Sequence, residues 1–302
     1  LEFGRSREIW GPAVAENLSL SGTQPAFDRL AAQVDIGRFS FRYFYGFLES
    51  LETDSGLAHK YLTGRCLMYS NRKNLNVGLS EVSLLGGINR PIDISFLNPL
   101  AIHLETDLNE RTNSGDITLN NSIWGLYLDY LPLRNLRVSA SAAIDEITLD
   151  YDPNDHDPNV LGYYLRAAYT PVRENWLMTF HGSFLRQSTY LYQHSAPFTN
   201  FANRGELIGH PLGNDLIQYS GGLRVVSPYY SLIDIELGQR EVGENSLLGN
   251  PYTPFPHFEI KDFPSGTVER HIFMNVSLHA HPWKYIFITM DGMFDLSAEA
   301  AG

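Results

Sequence analysis

Two long polar segments of the sequence combine aromatic rings with amide and imidazole side chains. The first segment spans residues 190–214 and the second spans residues 242–267. Aromatic rings can stack on the apolar faces of sugars, while amides and imidazoles supply donors and acceptors for hydroxyl groups. We therefore predict glycan contacts from Tyr190, Tyr192, His194, Phe198, Asn200, Tyr252, Phe255 and His257. The alternative for each ring is a place in a loop core or in an aromatic girdle.

Two other groups of residues suggest metal chemistry less strongly. Residues 150–159 form a concentrated acidic segment whose oxygens could hold calcium, but it lacks the glycine and the distant glutamate of an EF-hand loop. We expect a solvated acidic loop there. His271, His279 and His281 share one face of a strand, but no cysteine or carboxylate completes a tetrahedral set by sequence. We predict no metal site and no cofactor.

Catalytic motifs are absent from the sequence. It contains no Gly-x-Ser-x-Gly, no phosphate-binding loop and no His-Glu-x-x-His. His181, Ser183 and Asp145 fall on predicted inward faces, but their spacing does not place them together. We predict that the protein is not an enzyme.

The composition narrows the class of protein. Of 302 residues, 43% are hydrophobic, 13% are aromatic and only 19% are charged, which is below the roughly 25% usual for soluble domains. A net charge of −12 argues against nucleic acid as a partner. The single cysteine, Cys66, excludes an intrachain disulfide. No run of 18 apolar residues is present, so we predict no transmembrane helix.

Alternation of apolar and polar residues is the main structural signal. It predicts twelve strands at residues 29–37, 39–49, 59–70, 75–85, 118–131, 136–149, 160–171, 175–189, 215–227, 229–241, 268–281 and 284–295. Most are 10–14 residues long, and a tilted strand needs about 9–11 residues to cross a membrane. Tight turns alternate with long polar links throughout the chain.

This pattern is typical of an outer-membrane barrel with periplasmic turns and extracellular loops. We predict an all-β, transmembrane, antiparallel up-and-down β-barrel, as a single domain over residues 1–302. The alternative is a soluble all-β fold. The sequence opens in a strand-like stretch and ends without a terminal aromatic residue. We therefore expect an incomplete fragment of a larger barrel, truncated at the N-terminus and lacking its last strands.

The two faces of each strand have different predicted environments. The apolar face should meet lipid, because a charge at mid-membrane on that side costs roughly 2–4 kcal/mol. The charged face should line the lumen, through Arg137, Asp145, Arg166, Arg224, Asp234, Glu236 and Arg240, together with Arg42, Arg65, Glu81 and Asp291. We expect ion pairs among these residues; a selective ion path is the alternative.

Several short motifs resemble a known family. They are residues 4–12 (GRSREIWGP), 17–21 (NLSLS), 25–28 (PAFD), 76–81 (NVGLSE), the pair Gly86-Gly87, 96–100 (FLNPL) and 143–146 (AIDE). In this order they are similar to segments of the capsule assembly Wzi family. Ala13 departs from the pattern, in which a small glycine follows the Gly-Pro pair. The resemblance covers about residues 1–150 and includes no catalytic motif.

The resemblance implies an outer-membrane barrel that binds capsular polysaccharide in a lectin-like manner without catalysis. On this basis the expected partners are surface polysaccharide and outer-membrane lipid. Glu81, expected near the extracellular end of its strand, and Asn98-Pro99 in the longest link are predicted loop or mouth residues. They would either support a loop packed over the barrel mouth or bind directly. The competing function is a porin-like channel for small solutes.

Overall fold

A single antiparallel sheet dominates the structure, a computed structural model. It describes residues 1–11, 16–100, 119–146, 159–171, 176–227, 231–254, 262–283 and 286–300. Fourteen strands form this sheet, and two further strands, β11 and β12, form a small separate hairpin. Apart from the short β4, which pairs with β5, the strands are joined in chain order from β1 to β16, and these two form the edges of the sheet in the described residues. This is the antiparallel up-and-down fold of an outer-membrane β-barrel.

The strands are bounded as follows: β1 Glu2–Ser6, β2 Phe27–Ile36, β3 Phe39–Phe47, β4 Leu51–Thr53, β5 Gly56–Ser70, β6 Leu75–Ile88, β7 Leu119–Leu133, β8 Leu136–Glu146, β9 Val160–Tyr169, β10 Leu177–Gln187, β11 Ala202–Asn203, β12 Glu206–Leu207, β13 Leu216–Val226, β14 Leu232–Val242, β15 Val268–Trp283 and β16 Ile286–Ala300. All twelve predicted strands are confirmed, with ends that shift by a few residues. The short strands β4, β11 and β12 lie inside predicted links, because two or three residues carry no readable period.

Long and short connections lie at opposite ends of the sheet, as predicted. Short turns such as Gly37-Arg38, between β2 and β3, lie at what we call the turn end. Long links, such as the one between β10 and β13, lie at the loop end. No described helix is long and apolar enough to span a bilayer. Most of the predicted acidic loop, residues 150–158, lies outside the described residues.

Strand β14 shows which face of the sheet is which. Ile233, Ile235 and Leu237 are 38%, 38% and 55% exposed, whereas the intervening Asp234 and Glu236 are half-buried. Directly opposed residues of antiparallel strands share a face, so the register extends this assignment across the sheet. Apolar side chains therefore form the outer face and hydrophilic ones face the lumen, as the alternation predicted.

Most of the predicted lumen-lining charges are paired. Arg137 donates two hydrogen bonds to Asp129, each 2.7 Å. Arg224 pairs with Asp234, and Arg240 lies 3.4 Å from Asp295. The other predicted lumen residues contact neutral groups. Asp145 accepts a hydrogen bond from the Tyr192 backbone N–H (2.9 Å), and Glu236 accepts one from Ser220 (2.6 Å). Arg166 lies opposite Ser139 and Ser183 on the same inner face. Ion pairs thus form at Arg137, Arg224, Asp234 and Arg240, whereas Asp145 and Glu236 bond neutral groups.

The loop-end half of the lumen is filled by a core that we call the plug. It consists of residues 7–11 and 16–26, between β1 and β2, and residues 188–215, between β10 and β13. Trp10 contacts Phe44 of the barrel wall edge to face, with ring centroids 5.2 Å apart. The fully buried plug side chains Leu18, Leu20, Leu191, Tyr192, Phe201 and Ile208 pack against inward residues of the sheet.

Glycine permits this close packing at the wall. A Cβ at Gly64 would lie 2.5 Å from the Trp10 ring, and one at Gly46 would lie 2.4 Å from Phe27. Both distances are shorter than any van der Waals contact. The wall is therefore flat where the rings of Trp10 from the plug and Phe27 from β2 approach it.

The prediction that Arg65 and Glu81 face the lumen is wrong. Arg65 is directly opposite Tyr43 on β3 and Glu81 on β6, and it shares its face with Leu67, which is 47% exposed on the outer wall. Glu81 also lies near the middle of β6 and not near its loop end. Its side chain and that of Arg65 form a buried outward ion pair, 3.1 Å apart. A charged side chain does not by itself indicate the lumen; the alternation with the exposed Leu67 and Leu79 places both residues on the outer face.

The outer face can be tested with an arginine placed at two heights on β14. Leu237→Arg puts a charge near the middle of the strand, whereas Gln239→Arg puts the same charge on the same face closer to the loop end. We expect Leu237→Arg to lower the free energy of unfolding by roughly 2–4 kcal/mol and Gln239→Arg by less. Denaturant unfolding in lipid vesicles measures both changes. Equal, small effects would contradict a lipid-facing outer wall.

Candidate functional site

At the loop end, Asn214 and Asp215 join two separate links of the chain. The Asp215 carboxylate accepts hydrogen bonds from Thr189 (2.9 Å) and from the backbone N–H groups of Ser265 (3.0 Å) and Asn245 (3.2 Å). Asn214 accepts from the Leu247 N–H at 2.7 Å. Both residues are fully buried. Because ionised acceptors make the stronger hydrogen bonds, Asp215 fixes the links after β10 and β14 to each other.

Asn200 clasps the two segments in which sugar-binding residues were predicted. Its side-chain oxygen accepts from the His194 N–H at 2.6 Å. Its amide nitrogen donates to the carbonyls of Pro251 and Thr253, at 3.0 and 3.3 Å. These carbonyls flank Tyr252, so the clasp brings His194 and Tyr252 to one rim.

Tyr252 is held with part of its ring accessible. Its hydroxyl accepts from the Gly205 N–H at 3.0 Å, and the Lys60 ammonium lies 5.7 Å from the ring centroid. The side chain is 36% exposed. The His194 imidazole is half-buried and lies 2.8 Å from the Thr199 hydroxyl. Two ordered rings on one rim are suited to stacking and hydrogen bonding.

Four other predicted glycan-binding residues are buried instead. They are Tyr190, Tyr192, Phe198 and Asn200, with exposures of 4%, 0%, 8% and 1%. The Tyr192 hydroxyl donates to the Leu18 carbonyl at 2.6 Å, inside the plug. A ring without an exposed face cannot stack on a sugar in this conformation, so we assign these four to the loop core. Phe255 and His257 lie outside the described residues.

A Glu16–His210 pair connects the two halves of the plug. The Nδ1 atom of His210 accepts from the Leu212 N–H at 3.2 Å, so its Nε2 carries the proton and donates to Glu16 at 3.2 Å. The hydrogen bond from His210 holds the pKa of Glu16 below its usual value near 4.5, against the opposing effect of burial. A carboxylate is therefore preferred at this contact at neutral pH.

The predicted mouth residues Asn98 and Pro99 are exposed and lie at the end of a short 3-10 helix, Ile94–Leu97. The Asn98 carbonyl accepts from Arg65 at 3.2 Å. The long link is thus tied to the Arg65–Glu81 pair, as expected for Glu81, but on the outside of the wall. These residues do not line the mouth.

Hydroxyl, imidazole and carboxylate groups do meet on the inner face of β15 and β16. Ser277 lies 3.0 Å from His279 and donates to Asp291 at 2.6 Å. In a catalytic triad the imidazole lies between the hydroxyl and the carboxylate, whereas here the hydroxyl is in the middle. In the described residues Ser183 bonds Ser220, not His181. The absence of catalysis stays a prediction, as does the absence of a metal, although no described cluster of three or more metal-ligating side chains exists.

Comparison with known proteins finds structures of similar fold but no matching sequence. No family model and no curated protein sequence matches the chain. Among solved structures the chain is similar to Wzi of Escherichia coli, an outer membrane protein involved in group 1 capsule assembly and a carbohydrate-binding β-barrel, with a TM-score of 0.68 and 11% identity over 98% of this chain. It spans only 63% of that protein's chain.

A second solved structure is BamA of Haemophilus ducreyi lacking POTRA domains 1–3, with a TM-score of 0.40 and 12% identity. That alignment covers 89% of this chain and 62% of BamA. At 11% identity, the similarity to Wzi shows a shared fold and nothing beyond it. The chain has an outer-membrane β-barrel architecture.

Sequence reasoning missed the residues that organise the loop end. Asp215, Asn214 and His210 lie in segments without a periodic pattern, and most of their partners are distant in sequence, such as Gln187 and Glu16, which lie 23 and 194 positions from His210. One signal was available for Asp215. It is the first residue of the predicted strand 215–227, and a carboxylate at the start of a strand often bonds neighbouring backbone N–H groups.

The carboxylate of Asp215 can be tested with an isosteric change. Asp215→Asn removes the charge and turns one acceptor into a donor that faces other donors. We expect a loss of roughly 2–3 kcal/mol in the free energy of unfolding, because buried partners are left unsatisfied. Limited proteolysis should cut the 243–254 link faster. Asn250→Asp, at an exposed position, is the control, and an unchanged cleavage rate in Asp215→Asn would contradict the assigned role.

The Glu16–His210 contact predicts an acid-sensitive plug. Since the folded pKa of Glu16 is lowered, its contribution to stability is present above the unfolded value near 4.5 and is lost as pH falls through the folded pKa. Glu16→Gln should lower stability at pH 7 by about 1 kcal/mol or less, because the carboxylate is partly solvated. Thermal unfolding from pH 3 to 7 should show the wild-type advantage vanish in acid. If the difference between the two proteins stays constant with pH, the pairing is not formed.

Proposed function

We propose that this protein is an outer-membrane β-barrel of the capsule assembly Wzi type that binds surface polysaccharide at its loop end without catalysis. The loop end is then extracellular, since long loops face outward in such barrels. The partners in this proposal are surface polysaccharide and outer-membrane lipid, and the net charge of −12 argues against nucleic acid. The likeness in fold to Wzi, a carbohydrate-binding barrel, and the motifs in residues 4–100 support the family.

The observation that carries the proposal is the Asn200 clasp above a filled lumen. The clasp presents His194 and Tyr252 on one rim, while the plug below fills this half of the lumen with buried side chains. A ligand that reaches the loop end therefore meets a surface with fixed rings. Stacking on such rings is the usual way in which a protein selects a sugar face.

A channel is the second candidate, and the lumen favours binding over transport. The turn-end half of the lumen carries charged side chains, including Arg137, Arg166 and Arg224 around a cavity of about 270 Å³. The loop-end half of the lumen contains the plug, in which Leu18, Tyr192 and Phe201 are fully buried. A conducting path would need these residues to move aside. Stable open channels of the full-length protein in planar bilayers would overturn the binding proposal in favour of transport.

Binding can be tested on the full-length protein with rim variants. We expect Tyr252→Ala and His194→Ala each to weaken retention of the cognate surface polysaccharide by about tenfold, or ~1.4 kcal/mol per ring. Both side chains lie at the surface, so the fold should be kept. Glu206→Ala, an exposed residue of the same loop region, is the matched control. Unchanged retention by a Tyr252→Ala, His194→Ala double variant would remove the proposed site.

A further inference from the structure

One segment of the chain folds down the outside of the barrel wall. We call residues 89–100 the strap; it leaves β6 at the loop end and contains the short 3-10 helix Ile94–Leu97. It contacts outward side chains of β3 and β5, and the Arg90 side chain donates to Gly86 of β6 and Asn120 of β7. Three strap carbonyls accept hydrogen bonds from this wall: Arg90 from Tyr61 (3.1 Å), Phe96 from Tyr43 (2.7 Å) and Asn98 from Arg65 (3.2 Å).

The length of β3 gives the depth that the strap reaches. β3 runs from Phe39 to Phe47, nine residues, directly after the turn at Gly37-Arg38. A tilted strand needs about 9–11 residues to cross the hydrocarbon core, so all of β3 is required for the crossing. Tyr43 is its fifth residue, and Tyr43 bonds Phe96. The strap therefore descends to about the middle of the bilayer-spanning height.

The outward surface of the strap is mostly apolar, with Ser95 and Asn98 as the exposed polar residues between positions 91 and 100. Ile92, Ile94, Leu97 and Leu100 are 50%, 79%, 38% and 78% exposed. Every exposed position from 91 to 100 is uncharged. This surface continues the apolar outer wall, on which the large exposed side chains include Phe47, Leu67 and Leu79.

The strap also covers the polar groups beneath it. The outward Arg65–Glu81 pair has side chains only 9% and 4% exposed, and a bare charge on this face would cost roughly 2–4 kcal/mol at mid-membrane. Within the strap, the Ser95 N–H donates to Asp93 and the Leu100 N–H donates to the Asn98 side chain, each at 3.0 Å. Irregular backbone is tolerated at membrane depth where such groups find partners in the protein.

We propose that the strap is embedded in the outer leaflet of the membrane, latched to the wall by Tyr43 and Arg65, with Ile92, Ile94, Leu97 and Leu100 in contact with lipid acyl chains. Lipid is the occupant that the observations favour, because the exposed surface is uncharged and continuous with the lipid-facing wall. If a second copy of the chain bound there instead, it would shield the same residues from both water and lipid. This inference rests on the proposed membrane location, and the experiment separates the two.

The test places a fluorescent label on the full-length protein in unilamellar phosphatidylcholine vesicles. Ile94→Cys carries the label on the strap, Leu67→Cys carries it on the outer wall, and Glu206→Cys carries it at the exposed loop end. The native Cys66 is 2% exposed, so unmutated protein reports any background labelling. Quenching by lipids with a doxyl group on the acyl chain is compared with quenching by aqueous iodide.

We expect doxyl lipid to quench the Ile94 label as strongly as the Leu67 label, with iodide effective only at Glu206. Quenching of the Ile94 label by iodide would show a solvated loop and overturn the proposal. Protection from both quenchers would show that protein covers the strap and would also overturn it. If doxyl lipid fails at Leu67 as well, the membrane location itself is wrong, and the proposed function fails with it.

Discussion

Antiparallel pairing is the constraint on which the rest of the structure depends. Opposed residues on neighbouring strands share a face, so a one-residue slip would exchange lumen and exterior along a whole strand. Apart from register shifts near the ends of β7, β8 and β15, the pairing from Glu2 on β1 to Ala300 on β16 propagates a single choice of faces. The clear alternation in β14, where Ile235 is exposed and Glu236 is half-buried, makes that choice unambiguous.

Much of this architecture can be read from the sequence because strand alternation is a local property. Twelve strands and the alternation of turns and links follow from periods of two residues and from turn residues such as those at Gly37 and Asn71–Asn74. The lumen charges Asp234 and Glu236 were predicted for the same reason. The prediction for Arg65 and Glu81 was wrong because it followed residue type and not position in the strand. A charge is tolerated on the outer face where it has a partner and a covering segment. That covering segment cannot be predicted from the strand pattern.

The loop end could not be read in this way, because its geometry is set by contacts distant in sequence. Tyr192 and Tyr252 are the same residue type in equally polar links, yet one is fully buried and the other is 36% exposed. The difference arises from the Leu18 carbonyl, 174 positions away from Tyr192. Asn200 was predicted to bind sugar, and it instead holds together the two segments that carry the exposed candidates. An amide with both donors and acceptors serves either purpose, and only the three-dimensional contacts decide between them.

The plug links the fold to the proposed function. The lumen charges near Arg137 and Arg224 already pair with residues of the wall. A plug is therefore not needed to satisfy them. The N-terminal segment and the link after β10 nevertheless bury Trp10, Leu18, Tyr192 and Phe201 against each other and against the wall. Such a core gives the rim a rigid base, and rigid side chains lose less conformational entropy when a flexible polymer binds. A transporter needs the opposite arrangement, with mobile or absent loops in the lumen. The same residues that close the lumen thus favour a surface that holds a polysaccharide over a path that conducts a solute.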